Sequence, residues 1–178
     1  MGFMVSLGNL LERVVVSSSD PIFDKVFALL AEEWVSPARP EERAAARRLL
    51  ERIVSAETAY SIALMQGETV VAYSSGLSLM ILERDVLNLL AIGAWARTGL
   101  DTPTFYCAEL FVARQARGQG IGSKLIQANV KHATQLGYHR LAVDTQNRVV
   151  VEHYCKLLGN PLKHPDRDRS TFYLFALN

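Results

Sequence analysis

Three glycines at alternate positions, Gly118, Gly120 and Gly122, lie between a segment that predicts a strand and a segment that predicts a helix. Glycine lets the backbone turn tightly and approach a ligand with no Cβ in the way. The first N–H groups of a helix have no partner within the helix and lie at the positive end of its dipole. A glycine loop that opens a helix therefore predicts an anion site, most naturally for a phosphate or a pyrophosphate.

Two familiar phosphate-binding loops fit this spacing poorly. A dinucleotide-binding fold needs Gly-x-Gly-x-x-Gly, usually after the first strand, whereas this chain has Gly-x-Gly-x-Gly two-thirds of the way along. A Walker A loop needs Gly-Lys followed by Ser or Thr, and Gly122-Ser123-Lys124 has another order.

The spacing that does fit is Arg-x-x-Gly-x-Gly over residues 117–122, which resembles the acetyl-CoA loop of the GNAT superfamily of acyl-CoA-dependent N-acyltransferases. Before it, Glu109-Leu110-Phe111-Val112 is similar to the end of that family's fourth strand. After it, Asn147 followed seven residues later by Tyr154 is similar to the second half of the family's acyl-CoA site. The strong part of the resemblance covers residues 105–159, and the N-terminal half matches only in the order of its elements.

The resemblance implies an α+β fold with one mixed sheet. A central, mostly antiparallel twisted sheet would be flanked by helices, and its fourth and fifth strands would splay apart with the pantetheine arm in the gap. The chain departs from the family after Tyr154, where Gly159 stands one residue late and is followed by Asn160 in place of phenylalanine. That departure affects the C-terminal edge of the site rather than the CoA-binding loop.

The resemblance also implies which residues bind acetyl-CoA, the expected co-substrate. Backbone groups of residues 111–113 would pair with the pantetheine arm, and backbone amides of the loop and the first helical turn would bind the pyrophosphate. Asn147 would bind the pantetheine amide, or it would cap the helix that follows. Arg117 could add a charge, or pack, or face solvent. The implied cofactor-binding residues are Phe111, Val112, Ala113, Arg117, Gly118, Gln119, Gly120, Gly122, Ser123 and Asn147.

The transfer of an acyl group to an amine needs a proton acceptor, because an alkylammonium group with a pKa of ~10.4 is mostly charged at neutral pH. Glu109 is the first candidate. Alternation along an extended strand places Cys107, Glu109 and Phe111 on one face. Ala108, Leu110 and Val112 form the other, core-like set, so Glu109 should face the acceptor. Alternatively, Glu109 orders neighbouring strands or binds substrate.

Two further side chains complete the expected chemistry. Asp144 is the second candidate for the base. Tyr154 is the candidate general acid for the departing CoA thiolate, because a phenol with a pKa of ~10 can protonate a thiolate of similar basicity. Packing in the core is the alternative role for Tyr154. No metal site is expected, because His153 and His164 have no partner at metal-ligand spacing.

The elements that must position these residues follow from the apolar spacing. Residues 1–178 are expected to form a single domain with the order β-α-α-β-β-(α)-β-α-β-α-β. The segment 80–103 is long for a connection between adjacent strands, and we expect it to be a helical insertion that covers the acceptor pocket or forms a dimer face. The predicted strands are 10–16, 60–65, 69–79, 105–112, 140–145 and 171–177, and the predicted helices are 21–34, 41–54, 82–97, 120–136 and 149–158.

Composition limits the partners. The chain has 178 residues, with 19 basic and 18 acidic side chains and a net charge of +1, which argues against nucleic-acid binding. Its longest apolar stretch, 86–96, is too short to span a membrane. Its two cysteines lie in apolar segments, which favours reduced thiols and a cytoplasmic location. The expected partner is a small-molecule or peptide amine, and a homodimer remains open.

The sequence thus predicts an N-acetyltransferase. It would move the acetyl group of acetyl-CoA to a primary amine of an unidentified acceptor by direct attack in a ternary complex. The alternative is a non-catalytic acyl-CoA-binding module with a regulatory or interaction role. The presence of both Glu109 and Tyr154 favours the enzyme.

Overall fold

The computed structural model describes residues 10–34, 40–79, 102–162 and 172–177. Its elements follow the order predicted from the sequence, and the helix predicted over 82–97 lies outside the described residues. The strands are β1 (Leu10–Val14), β2 (Tyr60–Gln66), β3 (Thr69–Ser78), β4 (Thr104–Val112), β5 (Arg140–Asp144) and β6 (Phe172–Ala176). The helices are α1 (Phe23–Trp34), α2 (Pro40–Val54), α3 (Ile121–Gln135) and α4 (Arg148–Leu158), and a 3-10 turn spans Arg114–Ala116.

The six strands form one sheet in the order β1-β2-β3-β4-β5-β6. Neighbouring strands are antiparallel except for β4 and β5, which are parallel. The β4–β5 pairing runs only from Thr104 opposite Arg140 to Cys107 opposite Val143. Because β4 continues to Val112, its second half diverges from β5, which confirms the splayed fourth and fifth strands.

A bulge lies on β4 immediately after its last pair with β5. Ser75 pairs with Glu109 and the next residue of β3, Gly76, pairs with Cys107, so that Ala108 has no partner on β3. One extra residue on a strand reverses the alternation of side chains beyond it. The side chains of β4 therefore do not alternate between the two faces of the sheet as they would on a regular strand.

The bulge corrects the predicted faces of β4. The hydroxyl of Ser74 accepts a hydrogen bond from Asn129 of α3, so Ser74 marks the α3 face of the sheet. Cys107 lies on that same face, packed with Ile126 of α3. Glu109 pairs with Ser75 and so lies on the opposite face. The prediction that Cys107 shares a face with Glu109 is wrong, and so is the grouping of Ala108 with Leu110 and Val112.

The helices cover both faces of the sheet. On one face, Ile53 of α2 packs with Leu77 and Tyr106. On the other face, Ile126 of α3 packs with Phe105 and with Tyr154 of α4. The two helix layers bury both sides of β3 and β4. This packing holds in place the end of β4, from which the glycine loop leaves.

Arginines of α2 join this helix to α1, and Arg47 makes the most varied contacts. The guanidinium of Arg47 lies 5.2 Å from the ring centroid of Phe23 and donates a hydrogen bond to Asp24 at 2.8 Å. It also bonds Glu51, one turn along α2, at 3.1 Å. Within the described residues, no helix is long and apolar enough to cross a membrane.

Candidate active site

The glycine loop lies between the end of β4 and the start of α3. Gly120 is the N-cap residue of α3 and has φ +75°, a left-handed conformation that disfavours residues with a Cβ. A Cβ placed on Gly120 would meet no atom within 4 Å, so the space above this residue is open. The first intrahelical bond runs from the N–H of Lys124 to the carbonyl of Gly120. The preceding amides therefore point out of the helix start, as an anion site requires.

A cavity of about 520 Å³ opens where β4 diverges from β5. It is bounded by the end of β4, the loop, the first turns of α3 and the start of α4. It brings together eight of the residues implied by the resemblance, namely Phe111, Val112, Arg117, Gly118, Gly120, Gly122, Ser123 and Asn147. The loop amides and the splayed strand thus border one continuous space.

Arg117 holds the loop against the strand. Its Nε donates to the carbonyl of Val112 at 2.9 Å, and both residues line the cavity. Sequence reasoning left the direction of this side chain open. The contact places the arginine at the rim of the site, where it also fixes the position at which the loop leaves β4.

Asn147 caps α4 and lines the cavity at the same time. Its Oδ1 accepts a hydrogen bond from the N–H of Val149 at 3.0 Å. The capping role weighed from the sequence is therefore observed, and the position of Asn147 at the cavity leaves the ligand-binding role as a prediction. Since the oxygen is committed to the cap, the amide Nδ2 is the group left to donate to a ligand.

Two of the implied binding residues do not line the cavity. The N–H of Ala113 donates to the carbonyl of Val71, and its own carbonyl accepts from Ala116, so the strand and the turn use both backbone groups. Gln119 is half-buried, and its Nε2 donates to the carbonyl of Gln115 at 3.4 Å. The N–H of Ala113 is thus used to hold the strand end, and one lone pair of its carbonyl is left to accept from a ligand.

The sequence analysis missed the apolar floor of the cavity. Leu110 of β4, Ile126 of α3 and Val150 of α4 line it together with His153. His153 is linked to the loop helix, because its Nδ1 lies 3.1 Å from the Oγ of Ser123. The spacing of Val149, Val150 and His153 on one helix could have indicated a shared face, but the strand and α3 contributions depend on tertiary packing.

Glu109 is buried on the α2 face of the sheet, with 8% of its surface exposed, and does not line the cavity. Burial raises the pKa of its carboxyl group well above the ordinary value. The charge of Glu109 in turn contributes to raising the pKa of Tyr73 to about 12, although burial is the main cause. A carboxylate with a raised pKa is a stronger base than a solvated one, which suits proton abstraction from an ammonium group.

Asp144 lies at the end of β5, two residues after Ala142, which pairs with Tyr106 of β4. Burial raises the pKa of the Tyr106 phenol, and the charges of Asp144 and Glu109 raise it further. The charges of both candidate bases thus raise the pKa of the same buried phenol. The two carboxylates mark the same region of the α2 face.

Tyr154 is fully buried and does not line the cavity. Its hydroxyl forms no hydrogen bond within the described residues. Burial raises its pKa well above the ordinary value, and the neighbouring thiol of Cys107 adds to that effect. Tyr154 lies one helical turn beyond Val150, and it belongs to the same packed cluster as Ile126; Val150 and Ile126 both line the cavity.

The described residues contain no group of three His, Cys, Asp or Glu side chains that could hold a metal ion. The polar groups around the cavity are instead backbone amides, Arg117, Ser123, Asn147 and His153. This set suits an anionic ligand with an apolar arm.

The sheet with one parallel splayed pair and the loop at the splay define an acyltransferase class. Residues 23–159 match the acetyltransferase (GNAT) family, and the chain belongs to that family. This confirms the resemblance drawn from the loop. No curated protein sequence matches the chain at a significant level.

Solved structures of the same fold include several acetyltransferases. Aminoglycoside acetyltransferase AAC(6')-Iy, in complex with a bisubstrate analogue of CoA and acetylneamine, is 18% identical with a TM-score of 0.64, covering 90% of this chain and 97% of its own. The enzyme meta-AAC0020 from an uncultured soil metagenomic sample, in complex with sisomicin, is 16% identical with a TM-score of 0.59, covering 90% and 93%. YhbS from Escherichia coli, in complex with CoA, is 17% identical with a TM-score of 0.62, covering 96% and 82%. At these identities the similarity shows the fold.

Proposed function

We propose that the chain is an N-acetyltransferase that uses acetyl-CoA and acetylates a primary amine by direct attack in a ternary complex. The observation that carries this proposal is the cavity at the β4–β5 splay, whose rim is the glycine turn that opens α3. The pyrophosphate of acetyl-CoA would bind the amides of Gly120, Gly122 and Ser123. Its apolar arm would lie along Leu110 and Phe111 toward Ile126 and Val150, which also line the cavity.

The proposed chemistry divides between two faces of β4. Glu109 takes a proton from the acceptor ammonium group, directly or through water, and the neutral amine attacks the thioester carbonyl. The C–N bond forms, the C–S bond breaks, and Tyr154 gives a proton to the departing thiolate. The nitrogen loses its second proton to solvent as the amide forms, and Tyr154 regains a proton from solvent. Asp144 is the alternative base, because its charge reaches the same buried phenol, Tyr106, as that of Glu109.

Direct attack is favoured by the state of Cys107, the cysteine on β4. Cys107 is buried, and burial raises the pKa of its thiol to about 12. A thiol in this state is mostly protonated at neutral pH and is a poor acyl carrier. Both cysteines are free, which suits a reducing compartment, and we propose a cytoplasmic location.

The acceptor is proposed to be a small-molecule amine, with a peptide amine as the other class. Structures of similar fold that hold aminoglycosides support an acceptor with several amino groups. Because Glu109 lies on the α2 face, the acceptor would approach from the side of the sheet opposite the CoA cavity.

The test is the release of free CoA thiol from acetyl-CoA in the presence of a panel of aminoglycosides, polyamines and peptides. An amine-dependent rate, with the acetylated amine identified by mass spectrometry, is the expected result. CoA binding measured by calorimetry with no amine-dependent thiol release across the panel would favour the non-catalytic acyl-CoA-binding module.

A further inference from the structure

Two side chains from different helices meet at the wall of the cavity. The Oγ of Ser123, in the first turn of α3, lies 3.1 Å from the Nδ1 of His153 on α4. Both residues line the cavity, so a ligand that fills it reaches them directly. The proposed pyrophosphate site uses the backbone amide of Ser123, and it leaves the hydroxyl and the imidazole without a role.

The pair lies between the cavity and a smaller groove of about 220 Å³ where α3 and α4 adjoin. The groove is lined by Ser123, Ile126, Gln127, His153, Lys156 and Leu157. His153 borders both spaces and is half-buried, so its ring is not sealed in the core. The hydrogen bond to Ser123 connects this accessible imidazole to the helix that the glycine loop opens.

The charges around the pair favour an anionic ligand. Among the described residues that line the two spaces, the charged side chains are Arg117 and Lys156, and both are cations. None of these lining residues is a carboxylate, so none competes as a charged acceptor for the protons of Ser123 and His153. A phosphate oxygen, which is charged, accepts hydrogen bonds there more strongly than a neutral group would.

The hydrogen bond between Ser123 and His153 can run in two directions. In one, the hydroxyl donates its only proton to Nδ1, and Oγ then has only lone pairs to offer to a ligand. In the other, Nδ1 carries a proton and donates it to Oγ, which leaves the hydroxyl proton to turn toward the cavity. The ionised oxygens of a pyrophosphate accept hydrogen bonds and cannot donate them, so a bound pyrophosphate selects the second direction.

We propose that His153 is a positioning residue for CoA: its Nδ1–H donates to the Oγ of Ser123 and so directs the serine hydroxyl proton to an oxygen of the pyrophosphate. This inference rests on the proposed function, in which the first turn of α3 binds that group. Ser123 then offers two donors to one anion, its backbone amide and its hydroxyl, and His153 orients the second.

The test is CoA affinity, measured by calorimetry in two variants of His153. His153→Leu removes both ring nitrogens, whereas His153→Asn retains an N–H donor close to the place of Nδ1. His153→Leu is expected to weaken CoA binding ~5-fold, the size of one ordinary hydrogen bond, and His153→Asn less than about twofold. His139→Leu is the matched control, because His139 is exposed and does not line the cavity, and it should leave CoA affinity unchanged.

Two further measurements separate this role from a merely structural one. In protein with ¹⁵N-labelled histidine, the ring nitrogens of His153, assigned by their loss in His153→Asn, should show a protonated Nδ1 when CoA is bound. Dephospho-CoA retains the pyrophosphate and lacks the phosphate on the ribose, so the loss in His153→Leu should be the same with this ligand. In a Ser123→Ala background, His153→Leu should change CoA affinity by less than about twofold.

The outcomes separate the inference from the proposed function. If His153→Leu binds CoA as tightly as wild type, or if Nδ1 carries no proton in the CoA complex, His153 has no positioning role while the CoA site stands. A loss that vanishes with dephospho-CoA would place the action of His153 at the ribose phosphate, and an equal loss in the Ser123→Ala background would make it independent of Ser123; either result overturns the inference. If the wild-type protein does not bind CoA, the proposed function fails as well. Should His153→Leu not fold, Ser123→Ala must show the ~5-fold loss, because it removes the hydroxyl and keeps the amide.

Discussion

Cys107 and Glu109 are two positions apart on β4, yet their side chains lie on opposite faces of the sheet, because Ala108 forms a bulge between them. Cys107 lies under the α3 and α4 helices beside Tyr154, and Glu109 lies toward α2. The bulge directly follows the last β4–β5 pair. One extra residue thus ends the strand pairing and turns the carboxylate away from the CoA cavity, which separates the proposed base from the proposed acid.

Glu109→Gln tests the base. The variant keeps the shape of the side chain and removes its ability to accept a proton, so turnover should fall ~10²-fold or more. Because burial raises the pKa of Glu109, the wild-type rate should fall as the pH drops through that raised value, and this acidic limb should be absent in the variant. The pH dependence of kcat/KM is the measurement. A variant with the wild-type rate and profile would assign the proton to water or to Asp144.

The same substitution should stabilise the fold in a defined pH range. The pKa of Glu109 is raised on folding, so its neutral form favours the folded state below the ordinary value of ~4.3, and this contribution is lost as the pH rises through the folded pKa. Glutamine stays neutral. Glu109→Gln should therefore raise Tm above the folded pKa, by ~2–4 °C for each kcal/mol relieved, and match wild type near pH 4. Equal Tm values at every pH would mean that the carboxylate is not destabilising.

Gly76→Ala should destabilise the fold through one contact. A Cβ at Gly76 would collide with the ring of Phe105 and lie 2.9 Å from the carbonyl of Tyr106. Overpacking of this kind costs ~1–3 kcal/mol, or about 2–12 °C in Tm. Thermal unfolding measures this loss of stability as a fall in Tm. The fall caused by Gly76→Ala should be smaller in a Phe105→Leu background, which lacks the ring. Additive losses in the double variant would contradict the collision.

The sequence allowed the loop and the element order to be predicted, because both rest on local chemistry. Gly120 is needed for a left-handed residue at the start of α3, and Asn147 has the side chain of a helix cap; both features depend on a few neighbouring residues. The bulge at Ala108 could not be predicted, since alanine fits either face and alternation assumes a regular strand. The contact between Ser123 and His153 joins two helices, so only their packing reveals it.

Gly120→Glu should abolish CoA binding while the fold persists. The substitution places bulk and a negative charge in the open space above the loop, where the pyrophosphate is proposed to bind. Gly137→Glu is the matched control, since Gly137 has φ +77° against +75° for Gly120 and does not line the cavity. Both variants bear the same backbone strain, so Tm should fall to a similar extent. Calorimetry should find that only Gly120→Glu loses its affinity for CoA. Equal CoA affinity in both variants would show that the loop is not part of the binding site.

Tyr154→Phe separates an enzyme from a binding module. The ring packs against Phe175 with 5.6 Å between centroids, and phenylalanine keeps that packing. The lost hydroxyl has no hydrogen bond within the described residues, so stability and CoA affinity should change little. If the hydroxyl stabilises the departing thiolate, kcat and kcat/KM should fall together by ~10- to 10³-fold, equivalent to about 1.4 to 4 kcal/mol.

The dependence on the leaving group identifies the step at which Tyr154 acts. A thiol of lower pKa departs with less help, so the defect of Tyr154→Phe should shrink with an acyl donor that carries such a thiol. A defect of the same size with both donors would indicate that Tyr154 shapes the site without donating a proton. Wild-type rates with both donors would leave Tyr154 as a packing residue under the cavity, and the general-acid assignment would be wrong.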